Sequence, residues 1–262
     1  MPLSNMAKRR AAGGGKENEI DTPSVLSNPW LLASHGYLLQ LQKYKEEKGE
    51  EWNPNEQDEV GCTPLIFAAR NGKLSTVKFL IEDGADMEAP GYGGMRALHH
   101  AVNNIEEECL TYLIEKGASC QARDKAGDTA IHWAASRGVL NLVSAVIDGG
   151  CDVNASNNRG VTPLMKAVSS GHISCAHRLV TIGADKDRQD EDGNTALHYA
   201  AKAGFANIVK YLLESGADAG ITNKKGEKAD GCAVNEATLK AFAATTEQSA
   251  KKRKARKKAN LL

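Results

Sequence analysis

The chain has 262 residues, enough for one elongated domain with tails and not comfortably for two large ones. No run approaches the roughly 20 apolar residues that cross a bilayer, and the start, Met1–Gly13, lacks the apolar stretch of a secretion signal. The 33 basic and 33 acidic side chains cancel, but the basic block at the C-terminus leaves the rest of the chain with an acidic excess of seven.

In chain order, residues 1–27 are rich in Ala, Gly, Ser, Pro and charge and are expected to be disordered. Apolar text begins at Pro29-Trp30-Leu31-Leu32. Ala33, Gly36 and Leu41 echo the later spacing of Ala69, Gly72 and Val77. Residues 28–58 therefore read as a degenerate first repeat that caps an array, with Gln40, Gln42, Lys43 and Glu46 as its polar outer face. From there glycine recurs every 33 residues, at Gly61, Gly94, Gly127, Gly160, Gly193 and Gly226. A second series, Gly84, Gly117, Gly150, Gly183 and Gly216, keeps the same interval. Such a period marks a solenoid, whose units bury their apolar faces only by stacking.

The unit can be built from its residues. Thr63 suits a helix N-cap and Pro64 the first helical position, where its missing N–H is not needed. Leu65, Ala68 and Ala69 place small apolar groups on one side, and Gly72 ends the helix, as do Gly138, Gly171 and Gly204 later. A second helix follows with Leu74, Val77, Leu80 and Ile81 at helical spacing. Thr-Pro-Leu recurs at Thr162–Leu164, and Thr-Ala-Ile-His-Trp-Ala and Thr-Ala-Leu-His-Tyr-Ala start at Thr129 and Thr195. These motifs resemble the ankyrin repeat, whose signature is Thr-Pro-Leu-His-x-Ala, over about residues 59–231. The resemblance implies an all-α solenoid of β-turn/helix-turn-helix units. Five repeats are expected over 59–222 and a C-terminal capping repeat over 223–244, followed by a basic tail, 245–262. In that cap Lys228 replaces the threonine and Cys232–Phe242 is predicted helical.

The second unit departs most. Arg96 stands in the N-cap threonine position, and Ile105 replaces the glycine that ends the first helix. A β-branched residue is unfavourable at positive φ, so Asn104 is expected to take that conformation. Drift and the shaping of a binding site both account for these changes.

His99, His132 and His198 share the signature position, next to the turn, where a ring can bond turn backbone. Ile66 and Met165 occupy it in other units, which argues for a structural role over a metal array. No Cys/His cluster has zinc-ligand spacing, and the six cysteines include no Cys-x-x-Cys pair. They read as small core residues of an intracellular protein. No nucleophile elbow or phosphate loop is present, so no catalytic residue, metal or cofactor is expected.

The resemblance places the functional surface on the concave side, built from turn tips and the inner face of the first helices. Carried onto this chain, the residue after the signature histidine position is Phe67, His100, Trp133, Lys166 or Tyr199. Arg70 and Arg137 lie further along those helices, and Tyr92, Met95, Lys125 and Arg159 lie at the tips. Aromatic and arginine anchors ringed by polar groups suit protein recognition. Rings packed between neighbouring first helices as part of the core are the other reading. At the end of the chain, Lys251, Lys252, Arg253, Lys254, Arg256, Lys257 and Lys258 form a block that suits an import receptor, a nucleic-acid contact or a solubilising end. No aromatics are interleaved there for base stacking.

The expected function is a non-catalytic protein-interaction module (adaptor, scaffold or regulator), monomeric and without a membrane partner, in the cytoplasm, the nucleus or both. The alternative is a nuclear or nucleic-acid-associated factor, such as a chromatin, ribosome or assembly chaperone, acting through the basic tail.

Overall fold

The computed structural model of the chain describes residues 28–244; the stretches 1–27 and 245–262, with the expectations of disorder and of a basic import or nucleic-acid tail, lie outside the described residues. Six helix pairs follow one another. They are α1 (Pro29–His35) with α2 (Leu38–Lys48), α3 (Pro64–Arg70) with α4 (Leu74–Glu82), and α5 (Ala97–Asn103) with α6 (Glu107–Glu115). Then come α7 (Ala130–Arg137) with α8 (Leu140–Asp148), α9 (Pro163–Ser169) with α10 (Ile173–Thr181), and α11 (Ala196–Ala203) with α12 (Ala206–Glu214). Among the described residues there is no strand, only an isolated bridge between Thr222 and Lys228.

Helices this short are unstable alone in water, so stacking must hold them. The first helices α1, α3, α5, α7, α9 and α11 pack successively in one row, and α2, α4, α6, α8, α10 and α12 form a second row behind. Between the rows runs one continuous core. Paired small residues such as Ala68 and Ala69, Ala134 and Ala135, and Ala200 and Ala201 are fully buried and let the first helices approach closely. The second row contributes Val77 and Leu80, Leu110 and Leu113, Val143 and Val146, each fully buried and worth about 2 kcal/mol by its removal from water. The cysteines belong to this core. All six are free thiols, five of them buried.

The helix ends follow the sequence closely in the regular units. The Thr63 hydroxyl accepts from the Ile66 N–H at 3.4 Å, with Pro64 at the first helical position. Gly138 and Gly204 close α7 and α11 at φ 73° and 76°, the left-handed region that glycine enters without strain.

The second unit corrects one expectation. Asn104 stays at φ −100°, and it is Ile105 that takes φ 65°. The reason is register. The Ile105 N–H donates to Val102 O at 3.2 Å and that of Glu106 to Ala101 O at 2.9 Å, matching the bonds of Gly72 to Ala69 and Lys73 to Ala68. Moving the reversal to Asn104 would slide α6 by one residue and turn Cys109, Leu110 and Leu113 away from the core. The strain of a left-handed β-branched residue, about 1–2 kcal/mol, is smaller than that loss. The last unit gives a second correction. Asp230–Cys232 is only a 3-10 turn, and helix resumes over 236–244. Its start is set by Asn235, whose side-chain oxygen accepts from the Thr238 N–H at 2.8 Å and hydroxyl at 2.6 Å.

Candidate partner-binding surface

The candidate surface begins with the turns. At the head of four regular turns and of the last one stands Asp58, Asp124, Asn157, Asp190 or Asn223. One side-chain oxygen of each accepts the N–H groups two and four residues on. For Asp124 these are Ala126 at 2.8 Å and Asp128 at 2.9 Å, and for Asp190 they are Asp192 at 2.9 Å and Asn194 at 2.7 Å. Successive turns are also joined. The N–H groups of Lys125, Asn158, Glu191 and Lys224 donate to the carbonyls of Gly93, Ala126, Arg159 and Asp192, at 2.8–3.0 Å. The tips therefore form a rigid rail along the array.

Beside this rail runs the row Phe67, His100, Trp133, Lys166 and Tyr199, which packs on the core and also meets the turns. Phe67, Trp133 and Tyr199 are half-buried against the core. Yet the polar end of each of the latter two is tied to a turn. The Trp133 indole N–H donates to Asp124 Oδ2 at 3.1 Å, and the Tyr199 hydroxyl donates to Asp190 Oδ2 at 2.7 Å. Burial, then that carboxylate, pushes the Tyr199 hydroxyl above the usual phenol range. Lys166 Nζ reaches Asp128 Oδ2 at 2.8 Å, and the same carboxylate accepts from the Asn157 amide at 2.8 Å. His100 is buried, its Nε2 has no hydrogen-bond partner among the described residues, and burial with the Arg70 charge holds its pKa down at about 4.

The remaining candidates divide between rail and rim. Tyr92 is 72% exposed at the tip of the Tyr92–Gly94 turn, and Met95 beside it is half-buried. Lys125 is exposed, and Arg159 is 3.7 Å from the Asp192 carboxylate in an open pair of little energetic weight. Arg137 folds back onto Asn103, its Nε donating to Oδ1 at 3.0 Å. Arg70 is exposed, and its guanidinium makes no hydrogen bond or ion pair among the described residues.

The histidines of the signature are structural. In His99, His132 and His198, Nδ1 accepts the backbone N–H of residue 96, 129 or 195 at 3.1–3.2 Å. That fixes the Nε2–H tautomer, which donates across the turn to the carbonyl of Ala122, Val161 or Glu227 at 3.0–3.1 Å. With both nitrogens engaged, these rings are neither bases nor ligands. Among the described residues no group of three or more His, Cys, Asp or Glu could hold a metal ion, and no helix is long and apolar enough to cross a membrane.

Two features escaped the sequence reading. The Asp/Asn position that ties the turns to the rings carried a visible signal, its 33-residue recurrence. Arg96 carried none. Having lost the cap hydroxyl, it donates instead to the carbonyls of Glu88 (3.2 Å), Gly94 (3.3 Å) and Arg123 (2.8 Å), and it pairs with the Glu88 carboxylate at 3.2 Å. It staples two turns together.

Comparison with known proteins agrees with this architecture. A family model described as ankyrin repeats (three copies) matches residues 30–124, 107–190, 131–224 and 173–241. The mouse protein "Ankyrin repeat family A protein 2" is 36% identical over 89 residues, 33% of this chain and 28% of that protein. The human "DNA-binding protein RFXANK" is 42% identical over 72 residues, 26% of this chain and 27% of that one. The matched stretch thus spans less than a third of either relative. Among solved structures, the human ASB11 ankyrin repeat domain superposes with a TM-score of 0.74 at 24% identity, covering 84% of this chain and 97% of that domain. That likeness is one of fold.

Proposed function

The chain belongs to the ankyrin-repeat family, and from that premise we propose that it is a non-catalytic binding module that holds a partner protein along the groove between the turn rail and the first-helix row. One observation carries the proposal. Half-buried rings at Phe67, Trp133 and Tyr199 lie between exposed Arg70 and Arg137 at the ends of their first helices and exposed Tyr92 and Arg159 on a rail held by inter-turn hydrogen bonds. A rigid surface with aromatic and arginine anchors loses little conformational freedom on binding. Adaptor, scaffold and regulator roles all reduce to this contact.

Trp133 alone is a poor probe, because its ring also packs on the core and Trp133→Ala is expected to remove about 3 kcal/mol of stability. The exposed set Tyr92→Ala, Arg137→Glu and Arg159→Glu is a better one. Proteins recovered on the native chain from cell extract should be lost from this variant at an unchanged melting temperature. Recovery equal to that of the native chain would refute the groove.

A second reading rests on the similarity to a relative named as DNA-binding, together with the block Lys251–Lys258. In that reading the chain acts in the nucleus as well as the cytoplasm, with the block as import signal or phosphate contact. Binding through phosphates would weaken steeply between low and physiological salt, whereas groove binding would change little.

A further inference from the structure

The groove is not uniform in charge. None of the six first helices carries an Asp or Glu, while Arg70, Arg137, Lys166 and Lys202 all lie on them. Three of these cations are already engaged: Arg137 on Asn103, Lys166 on Asp128, and Lys202 on Asn194 Oδ1 at 2.7 Å. Arg70 is the exception. Its exposed guanidinium meets no acceptor among the described residues.

Arg70 stands at a cavity. Between α1 and α3 a recess of about 510 Å³ is lined by Trp30, Leu31 and Phe67 on its apolar side and by Arg70, His35 and Asp58 on its polar side. A second recess of about 550 Å³ shares Arg70 and adds Lys73 and Glu106. Asp58 heads its turn as Asp124 and Asp190 head theirs, with Oδ1 accepting from the Val60 and Cys62 N–H groups at 3.1 and 2.7 Å. In those other units the second carboxylate oxygen accepts a hydrogen bond from Trp133 or Tyr199. Phe67 has none to give. The second oxygen of Asp58 is left as an acceptor at the recess.

We propose that this N-terminal end of the groove takes a peptide segment of the partner in which a large apolar side chain stands next to an acidic one. The inference rests on the groove reading above and names the chemistry of what the groove holds. The apolar side chain enters between Trp30, Leu31 and Phe67. The neighbouring carboxylate pairs with Arg70, whose planar fork matches it in two parallel hydrogen bonds. A peptide N–H of the same segment donates to Asp58. Nucleic acid fits less well, because Asp58, Asp124, Asp128 and Asp190 line the facing turns and would repel successive phosphates.

The test is selection of a phage-displayed library of random short peptides on the full chain, followed by affinity measurement of the enriched sequences. Enrichment of an acidic residue beside a large apolar one is expected. Arg70→Glu should weaken those peptides by roughly tenfold or more, Arg70→Lys should retain part of the affinity, and Lys210→Glu on the outer row should change nothing. Circular dichroism checks that Arg70→Glu is folded, and Arg70→Gln replaces it otherwise. Acidic peptides that bind Arg70→Glu as well as the native chain overturn the proposal, as does displacement of the peptide by a uridine homopolymer. Basic or neutral peptides that are lost with the Tyr92/Arg137/Arg159 variant but not with Arg70→Glu sink this inference and leave the groove standing. No enrichment, or peptides indifferent to both sets of variants, sinks both.

Discussion

The second and third units occupy neighbouring places in one array, yet they solve the same geometric problem with different residues. The third has Asp124 at the head of the turn, Thr129 as N-cap, Trp133 in the groove row and Gly138 at the helix end. The second has Gly91, Arg96, His100 and Ile105 at those positions. These four local devices are missing from the second unit, which keeps only the His99 bridge and the turn glycine Gly94, but α5 and α7 begin at equivalent residues, and α6 and α8 have nine residues each. The stack, and not the local signal, fixes each unit's conformation. Where a local signal is lost, longer-range bonds replace it, as Arg96 does by reaching two turns. Gly91 could not have kept the side chain of its counterparts without rearrangement, since a Cβ there would lie 2.7 Å from Ile66 and 3.0 Å from the Cys62 sulfur.

Exchanging the helix-end residues of the two units should have the largest effect. Gly138→Ile would place a β-branched side chain at φ 73° and drive its Cβ into the His172 ring, whose Nε2–H donates to Ser136 O at 3.0 Å and which has little room to yield. A loss of about 3 kcal/mol or more is expected in urea unfolding. The reverse change, Ile105→Gly, relieves the strain at φ 65° and should raise stability by about 1 kcal/mol. If both changes destabilise equally, register does not explain the left-handed isoleucine.

The groove row gives a pH-dependent contrast. His100 takes a proton in the fold only near pH 4, against 6.5 for an ordinary histidine, because burial and then the charges of Arg70 and His99 oppose it. Between these values the unfolded chain binds the extra proton, so acidification favours unfolding. The contribution is complete above about pH 6.5 and is lost as pH falls towards 4, with an upper limit of about 3 kcal/mol. His99 and His132 are lowered by burial as well, so His100→Phe should flatten the pH dependence without abolishing it. At pH 7 the same change removes an unpartnered buried nitrogen and copies the Phe67 of the first unit; stability should hold or rise by about 1 kcal/mol. Urea midpoints at neutral pH and near pH 4.5 decide it. An unchanged slope would mean that His100 titrates alike in the folded and unfolded chain.

How far the text of the chain could be read follows from the reach of each interaction. The glycine series, the threonine caps and the histidine bridges were legible because each acts on backbone within a few residues or one repeat of itself. The 33-residue Asp/Asn series is equally periodic, but the ring it ties differs from unit to unit, an indole at Trp133 and a phenol at Tyr199, so no fixed pair of residue types marks the tie. The conformation of Ile105 was misjudged because it depends on where the core needs α6, not on Asn104 and Ile105 themselves. The freedom of the Arg70 guanidinium was invisible, since only the folded arrangement shows which cations have found acceptors.

The smallest effect concerns Arg96, and it separates local from long-range capping most directly. A local view holds that Arg96→Thr repairs a defect, because a hydroxyl would again accept from the His99 N–H and contribute about 1 kcal/mol. The long-range view sets against this the hydrogen bonds to the Glu88, Gly94 and Arg123 carbonyls and the Glu88 ion pair, all of which threonine is too short to make. Bonds from a charged donor at a half-buried site are worth about as much as the cap, once the loss of side-chain freedom is included. The two should nearly cancel, leaving a net change within about 0.5 kcal/mol. Arg96→Ala loses the staple and gains no cap, and should cost about 1 kcal/mol. A clear gain from Arg96→Thr would make the staple ornamental, while a cost as large as that of alanine would mean that no cap forms at this position at all.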